Sequence, residues 1–236
     1  MTAAFQRARR PEQVAARREA ILNAAAAMLG ERPVADISLR ELAGRVGLAK
    51  SNVLRYFDSR EAIFLEVLDR TWTAWLDGLS LSPGRGSAGF ARETRVATAI
   101  ATSLIAEPLL CELFSTMGAV LERNISLEVA RDFKTRFSMN TARLAGTVRA
   151  CVPALDEPGA THFAGAAVVV VAGLWPFANP TEVVATVSAE LGAPCAADLF
   201  SEGLTEALVN QLIGLVARAG RASDLRASAR PDPLPR

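Results

Sequence analysis

The sequence predicts an all-α protein, with an N-terminal three-helix head that carries a helix-turn-helix and a larger helical body behind it. Nearly every long segment places apolar residues three and four apart, and no stretch alternates with the period of a strand. Residues 38–57 hold two short amphipathic stretches on either side of Gly47, the pattern of two helices set at an angle by a tight turn. Charge is also uneven. Residues 1–60 contain eleven Lys or Arg against six Asp or Glu, a net of +5, whereas the whole chain is +1, so the remainder is −4. A basic quarter on a mildly acidic bulk suits a nucleic-acid-binding head on a body with another task.

The first helix is expected from Pro11, a favoured first-turn residue, through Val14, Ile21, Leu22, Ala25 and Leu29 to Gly30. The next starts at Ser38, because Ser38 and Glu41 have capping-box spacing and Ile37 can staple onto Leu42. Leu39, Leu42, Ala43 and Val46 form its inner face, and Gly47 ends it as the residue that adopts a left-handed backbone without steric cost. In the second helix of the pair, Leu48 and Val53 are the docking residues, leaving Lys50, Ser51, Asn52 and Arg55 outward. Asp58 and Glu61 predict a capped start for a linker helix carrying Ile63, Phe64, Val67, Leu68, Trp72, Trp75 and Leu76.

Gly78 to Gly89 reads as a loop. Its Gly84-Arg85-Gly86-Ser87-Ala88-Gly89 matches G-x-G-x-x-G but follows a Ser-Pro loop rather than a strand, so it is no dinucleotide fingerprint. Further helices are expected around 96–105, at 109–123, at 127–152 up to Pro153, at 158–173, at 180–191 and at 198–219, with a disordered tail from Arg221. The domains follow as 1–59 (arm and head), 60–220 (body) and 221–236 (tail).

With 236 residues, half of them hydrophobic, the chain has ample material for a core. Cys111, Cys151 and Cys195 are far apart and odd in number, which supports neither a disulfide framework nor a zinc site. No apolar segment follows the basic start, and the uncharged run 163–178 is shorter than the ~20 residues of a membrane helix and is broken by Gly165, Gly173 and Pro176. A cytoplasmic protein without metal, cofactor or membrane partner is expected. A single histidine and no G-x-S-x-G elbow argue against an enzyme. The competing reading among DNA-binding proteins is an architectural dimer without effector, which a ligand screen by thermal shift separates from a regulator.

The head, the Tyr56-Phe57-Asp58-Ser59-Arg60-Glu61-Ala62-Ile63 pattern and the helical body together resemble the tetracycline repressor (TetR) family. In that family an aromatic pair closes the recognition helix and a Lys or Arg followed by Glu opens the linker helix, the places of Tyr56-Phe57 and Arg60-Glu61 here. The resemblance is specific over about 13–68. One departure is Leu54, where many members carry a phosphate-contacting tyrosine, which leaves more of the positioning to Asn52, Arg55 or Tyr56. The resemblance implies a homodimer on double-stranded operator DNA, a small effector bound in the body, and most often a repressor that releases DNA when the effector moves the heads apart.

Candidate DNA contacts are Lys50 and Arg55 to base edges, Asn52 to adenine or phosphate, Ser38, Ser51, Tyr56 and Arg60 to the backbone, and Arg40 beside them. Arg7, Arg9 and Arg10 suggest a basic arm. Large side chains available for an apolar effector pocket are Trp72, Trp75, Phe114, Met117, Phe133, Phe137, Met139 and Trp175, with His162 as a polar handle. The apolar faces at about 158–176 and 198–219 are the candidate dimer contact.

Overall fold

The computed structural model describes residues 3–82, 84 and 89–228, with side chains described between 11 and 221 of these; the 85–88 part of the glycine-rich loop and residues 229–236 lie outside. The described residues are helical and contain no strand. Ten α-helices follow in order: α1 Ala3–Glu31, α2 Leu39–Arg45, α3 Lys50–Val53, α4 Arg60–Gly78, α5 Ala91–Ile105, α6 Pro108–Thr116, α7 Leu127–Cys151, α8 Glu157–Ala178, α9 Glu182–Glu190 and α10 Ala196–Ser228. A 3₁₀ turn, Val34–Asp36, precedes α2, and a π-helical turn, Met117–Leu121, follows α6.

Three boundaries differ from the sequence reading. α1 begins at Ala3, with Pro11 inside it, because the Ala, Gln and Arg residues upstream are good helix formers and a proline forfeits one backbone donor. The backbone of Arg7, Arg9 and Arg10 is therefore helical, and their side chains lie outside the described residues. α4 is capped by Ser59, whose Oγ accepts the Ala62 N–H at 3.1 Å, and not by Asp58, whose carboxylate instead accepts the Ser126 hydroxyl at 2.7 Å. α10 continues through Ser228, past the Arg221 at which a tail is expected.

The chain forms two compact units, one from the described residues of Met1–Trp75 and Glu107–Ser138, the other from those of Leu76–Ala106 and Met139–Arg236. In the first, Ile21, Leu22, Ala25 and Met28 of α1, Leu42 and Ala43 of α2, Val53 of α3 and Ile63 and Phe64 of α4 are buried. Beyond the expected 1–59 head, this unit also takes in residues 60–75 and segment 107–138. A Glu112 carboxylate oxygen accepts the Val34 N–H at 3.2 Å, Ser126 reaches Asp58, and Trp72 packs edge-on against Phe114 and Phe137 with centroids 5.0 and 4.9 Å away.

In the second unit α10 packs against α5 and α8. Phe200, Leu204, Leu208, Leu212 and Leu215 form the buried stripe of α10, each leucine contributing about 2 kcal/mol by burial. Ala160, Phe163, Ala164, Ala167, Val168 and Val171 are the buried face of α8, with Trp175 edge-on to Phe200 at 5.1 Å. α8 is 22 residues and apolar enough to span a membrane by length and composition, longer than the 163–178 run suggests. Its other face leaves Val169 and Phe177 exposed at 69% and 66%. No residue of α9 is buried, although Val183, Val184 and Val187 lie on it.

Candidate nucleic-acid interface

Short-range rules build the helix-turn-helix. Ser38 Oγ accepts the Glu41 backbone N–H at 3.2 Å, while a Glu41 carboxylate oxygen accepts the Ser38 N–H at 2.9 Å and the Ser38 hydroxyl at 2.7 Å, the reciprocal capping box its spacing predicts. Arg32 donates to the other carboxylate oxygen at 3.1 Å. The Ser38 hydroxyl foremost, then its backbone N–H and Arg32, hold the Glu41 carboxyl down to about 2 from the ordinary 4.5. A depressed folded value means that the contribution is complete above about pH 4.5 and is lost as pH falls towards 2. Glu41→Gln is therefore expected to flatten the acid limb of head stability followed by circular dichroism between those limits, and an unaltered limb counts against the box as its source.

α2 ends in a Schellman motif. Leu48 donates its N–H to Ala43 O at 2.9 Å, Gly47 donates to Gly44 O at 3.1 Å, and Gly47 sits at φ 67° in the left-handed region open to glycine. The chain then enters α3, whose inner residue Val53 is fully buried. A turn over Leu54–Tyr56 follows, with Val53 O accepting the N–H of both Tyr56 and Phe57. Phe57 is buried and Tyr56 half-buried, so the aromatic pair closes the recognition element against the core.

Two arginines fix this element from behind. Arg18 of α1 lies with its guanidinium 4.1 Å from the Phe57 ring centroid, donates through Nη1 to Tyr56 O, and pairs through Nη2 with Glu66 of α4 at 2.6 Å. Arg60 donates through Nη1 to Ile37 O at 2.8 Å and through Nη2 to Glu61 at 3.0 Å. Arg60 is thus engaged inward, with 21% of its side chain exposed, rather than presented for a phosphate as the sequence suggests. It joins the entry to α2 to the start of α4.

The remaining cations divide cleanly. Arg32 pairs with Glu41 and Arg45 with Glu31, whereas Arg17, Arg40, Lys50 and Arg55 are exposed and make no ion pair among the described residues. Ser51, Asn52 and Leu54 are exposed beside Lys50 and Arg55. Arg17 and Arg55, with Gln13, Val14, Ala16, Ala20 and Tyr56, line a concave surface of about 880 Å³. Arg17 and Gln13 are absent from the sequence-derived set. Their i, i+4 spacing marks them as one face of α1, but nothing local reveals that this face adjoins the recognition turn.

The residues proposed for an effector pocket separate. Trp72, Phe114, Phe133 and Phe137 come together in the first unit, Phe133 and Phe137 at 5.9 Å, with Met117 half-buried in the π turn and Trp75 buried on α4. Met139 and His162 are exposed, the former at 65%, and Trp175 packs on Phe200; all three belong to the second unit. Arg136 pairs with Asp132, Arg143 with Asp77 and Arg149 with Glu157 along α7.

Cys111, Cys151 and Cys195 form no disulfide. Burial first, and Glu107 second, push Cys111 up to about 12, which leaves it inert at neutral pH. Native thiol titration is expected to modify the exposed Cys195 promptly and the buried Cys111 and Cys151 only on unfolding; prompt modification of Cys111 contradicts its packing.

Residues 21–67 match the family described as "Bacterial regulatory proteins, tetR family", and residues 69–219 match "Tetracyclin repressor-like, C-terminal domain". The HTH-type transcriptional regulator EthR of Mycobacterium tuberculosis is 45% identical over 51 residues, 22% of this chain and 24% of EthR, so this chain spans about a quarter of that relative's length. A tetR-family transcriptional regulator from Streptomyces coelicolor has a similar structure at a TM-score of 0.50 and 15% identity, over 91% of this chain and 98% of that one. A transcriptional regulator from Rhodococcus sp. Rha1 gives 0.49 and 19%, over 85% and 96%. Two family matches that together run from residue 21 to 219, over a capped helix-turn-helix and an all-helical fold, establish that the chain belongs to the TetR family of DNA-binding transcriptional regulators.

Proposed function

We propose that the protein is a homodimeric, cytoplasmic repressor, without catalytic role, that binds a two-fold symmetric DNA operator and releases it when a small, largely apolar effector binds. The observation that carries the DNA-binding part is the set of exposed, ion-pair-free cations Arg17, Arg40, Lys50 and Arg55 around an exposed Ser51-Asn52. An exposed cation without an ion pair has no intramolecular partner to give up on binding and is ready for a phosphate or a base edge. Lys50 and Arg55 are assigned to base edges, Asn52 to adenine or phosphate, and Ser38, Arg40, Ser51 and Tyr56 to phosphates. Arg17 and Gln13 join them along the concave surface, and Arg60 acts by positioning.

Dimerisation through about 158–176 and 198–219 is supported by the exposed Val169 and Phe177 of α8 and, since the leucine stripe of α10 is buried against α5 and α8 and not available to a partner, by the half-buried Val209, Ile213 and Val216 on its other side. Two apolar helix faces per chain suit a four-helix contact about a dyad. Two-fold symmetry would place the recognition elements one helical turn of DNA apart, roughly 34 Å, or a multiple of it. The apolar effector is supported by the aromatic cluster around Trp72.

Selection of bound fragments from genomic DNA tests this reading, followed by titration of the recovered site against salt. Inverted half-sites, two chains per site by light scattering and a steep fall of affinity with salt are expected. Failure to enrich any fragment, or a monomer on a single asymmetric site, overturns it.

A further inference from the structure

Trp72 is 1% exposed, and its indole Nε1 has no hydrogen-bond partner among the described residues. The indole N–H is a donor only, and leaving it unpaired in an apolar interior forfeits the hydrogen bond it makes with water in the unfolded chain. Its surroundings are aromatic: Phe114 at 5.0 Å and 87°, and Phe137 at 4.9 Å and 69°, both edge-on, with Phe133 beside Phe137. Three of the four rings are buried, whereas Phe137 is half-exposed, so moving this one ring opens the cluster to the surface. The backbone next to it is also irregular. α6, which bears Phe114, runs directly into the π turn Met117–Leu121, and such turns are frequent at functional sites.

Resting on the reading above that the protein responds to an effector, we propose that the Trp72 indole N–H is the polar recognition point of the effector site, and that the ligand is an uncharged, flat or chain-like apolar molecule bearing a hydrogen-bond acceptor such as a ketone, ester or amide carbonyl. The acceptor takes the unpaired N–H, and the apolar body lies among Phe114, Phe133 and Phe137. A charged ligand is disfavoured because Lys134, whose Nζ lies 5.8 and 5.7 Å from the Phe133 and Phe137 centroids, is already paired with Glu122 at 2.6 Å and is not available to offset the ligand's desolvation. A purely hydrocarbon ligand leaves the N–H unpaired, so it binds without the preference the site is built to give. α6 supplies the link to the head, since Glu112, two residues before Phe114, accepts the Val34 N–H ahead of α2. A ligand that displaces Phe114 therefore pulls on the entry to the helix-turn-helix.

The test uses a matched pair of probes, 4-phenyl-2-butanone and n-butylbenzene, alike in their apolar body and differing in the carbonyl. With ¹⁵N-indole-labelled full-length protein, Trp75→Phe and Trp175→Phe variants assign the Trp72 resonance without touching it. The ketone is expected to move the Trp72 N–H resonance downfield on titration and to bind about 5–10-fold tighter than butylbenzene, the worth of one hydrogen bond. In Trp72→Phe that preference disappears. Equal binding of both probes with an unmoved Trp72 resonance overturns the proposal, as does binding of neither at millimolar concentration. Fluorescence anisotropy on the selected operator separates the two readings: a shifted Trp72 resonance with unchanged DNA affinity keeps the acceptor site and defeats effector-driven release.

Discussion

Arg55→Ala and Lys50→Ala are each expected to weaken operator binding by roughly 30-fold to more than a thousandfold in a two-headed complex. One bidentate or long-reach contact to a base edge discriminates by about 1–3 kcal/mol, and a dyad complex loses it twice. Both side chains are exposed and without an ion pair among the described residues, so truncation disturbs little in the free protein. The melting temperature should stay within about a degree or two of the wild type while affinity collapses and one position of the selected half-site becomes degenerate. Arg17→Ala is the contrast: it should weaken all sequences alike and reduce the slope of log K against log salt by about one unit per lost phosphate contact. Wild-type affinity for Lys50→Ala and Arg55→Ala on the selected site would falsify the assignment of the recognition surface.

Arg18→Met is expected to cost both stability and DNA affinity. The substitution keeps much of the aliphatic stem but removes the donor to Tyr56 O, the 2.6 Å pair with Glu66 and the stacking on Phe57. Glu66 is 17% exposed and retains Arg70 at 3.4 Å, whereas Arg18 is 37% exposed, so solvent screening trims the ion-pair share. About 2 kcal/mol remains from the hydrogen bond and cation–π contact, enough to lower the melting temperature by several degrees in a chain of this size. Because Arg18 holds the end of the recognition turn, affinity should fall although Arg18 touches no base. Arg18→Lys restores the charge but not the planar fork and should recover only part of either quantity. Differential scanning calorimetry beside anisotropy measures both; loss of stability with intact affinity per folded molecule would leave Arg18 a role in stability alone.

Local chemistry made the head legible. Ser38, Glu41 and Gly47 act through neighbours three to five positions away, and the structure realises each in the capping box and the Schellman closure. The apolar stripes of α2, α4, α5, α8 and α10 likewise follow from the 3.6-residue period. What the sequence does not reveal depends on distant partners. Asp58 has the right spacing for a cap, yet Ser126, sixty-eight residues away, takes its carboxylate and Ser59 does the capping. Arg60 looks like a phosphate contact until Ile37 O and Glu61 are seen to hold it. Arg17 carries no motif, and its place beside Arg55 arises only from the packing of α1. Among the large side chains, composition alone does not separate Trp72 and Phe137 from Met139 and His162, because hydrophobicity sets burial and not neighbours.

Segment 107–138 shares a compact unit with the helix-turn-helix. For anyone building hybrid sensors, this fixes where the chain can be cut. A transplant of residues 1–59 alone would strip Val34 of its Glu112 acceptor and Asp58 of Ser126, and would leave Trp72 with its aromatic neighbours behind. The portable piece is discontinuous, so a swap that respects it must carry two stretches of sequence, or exchange the whole polypeptide.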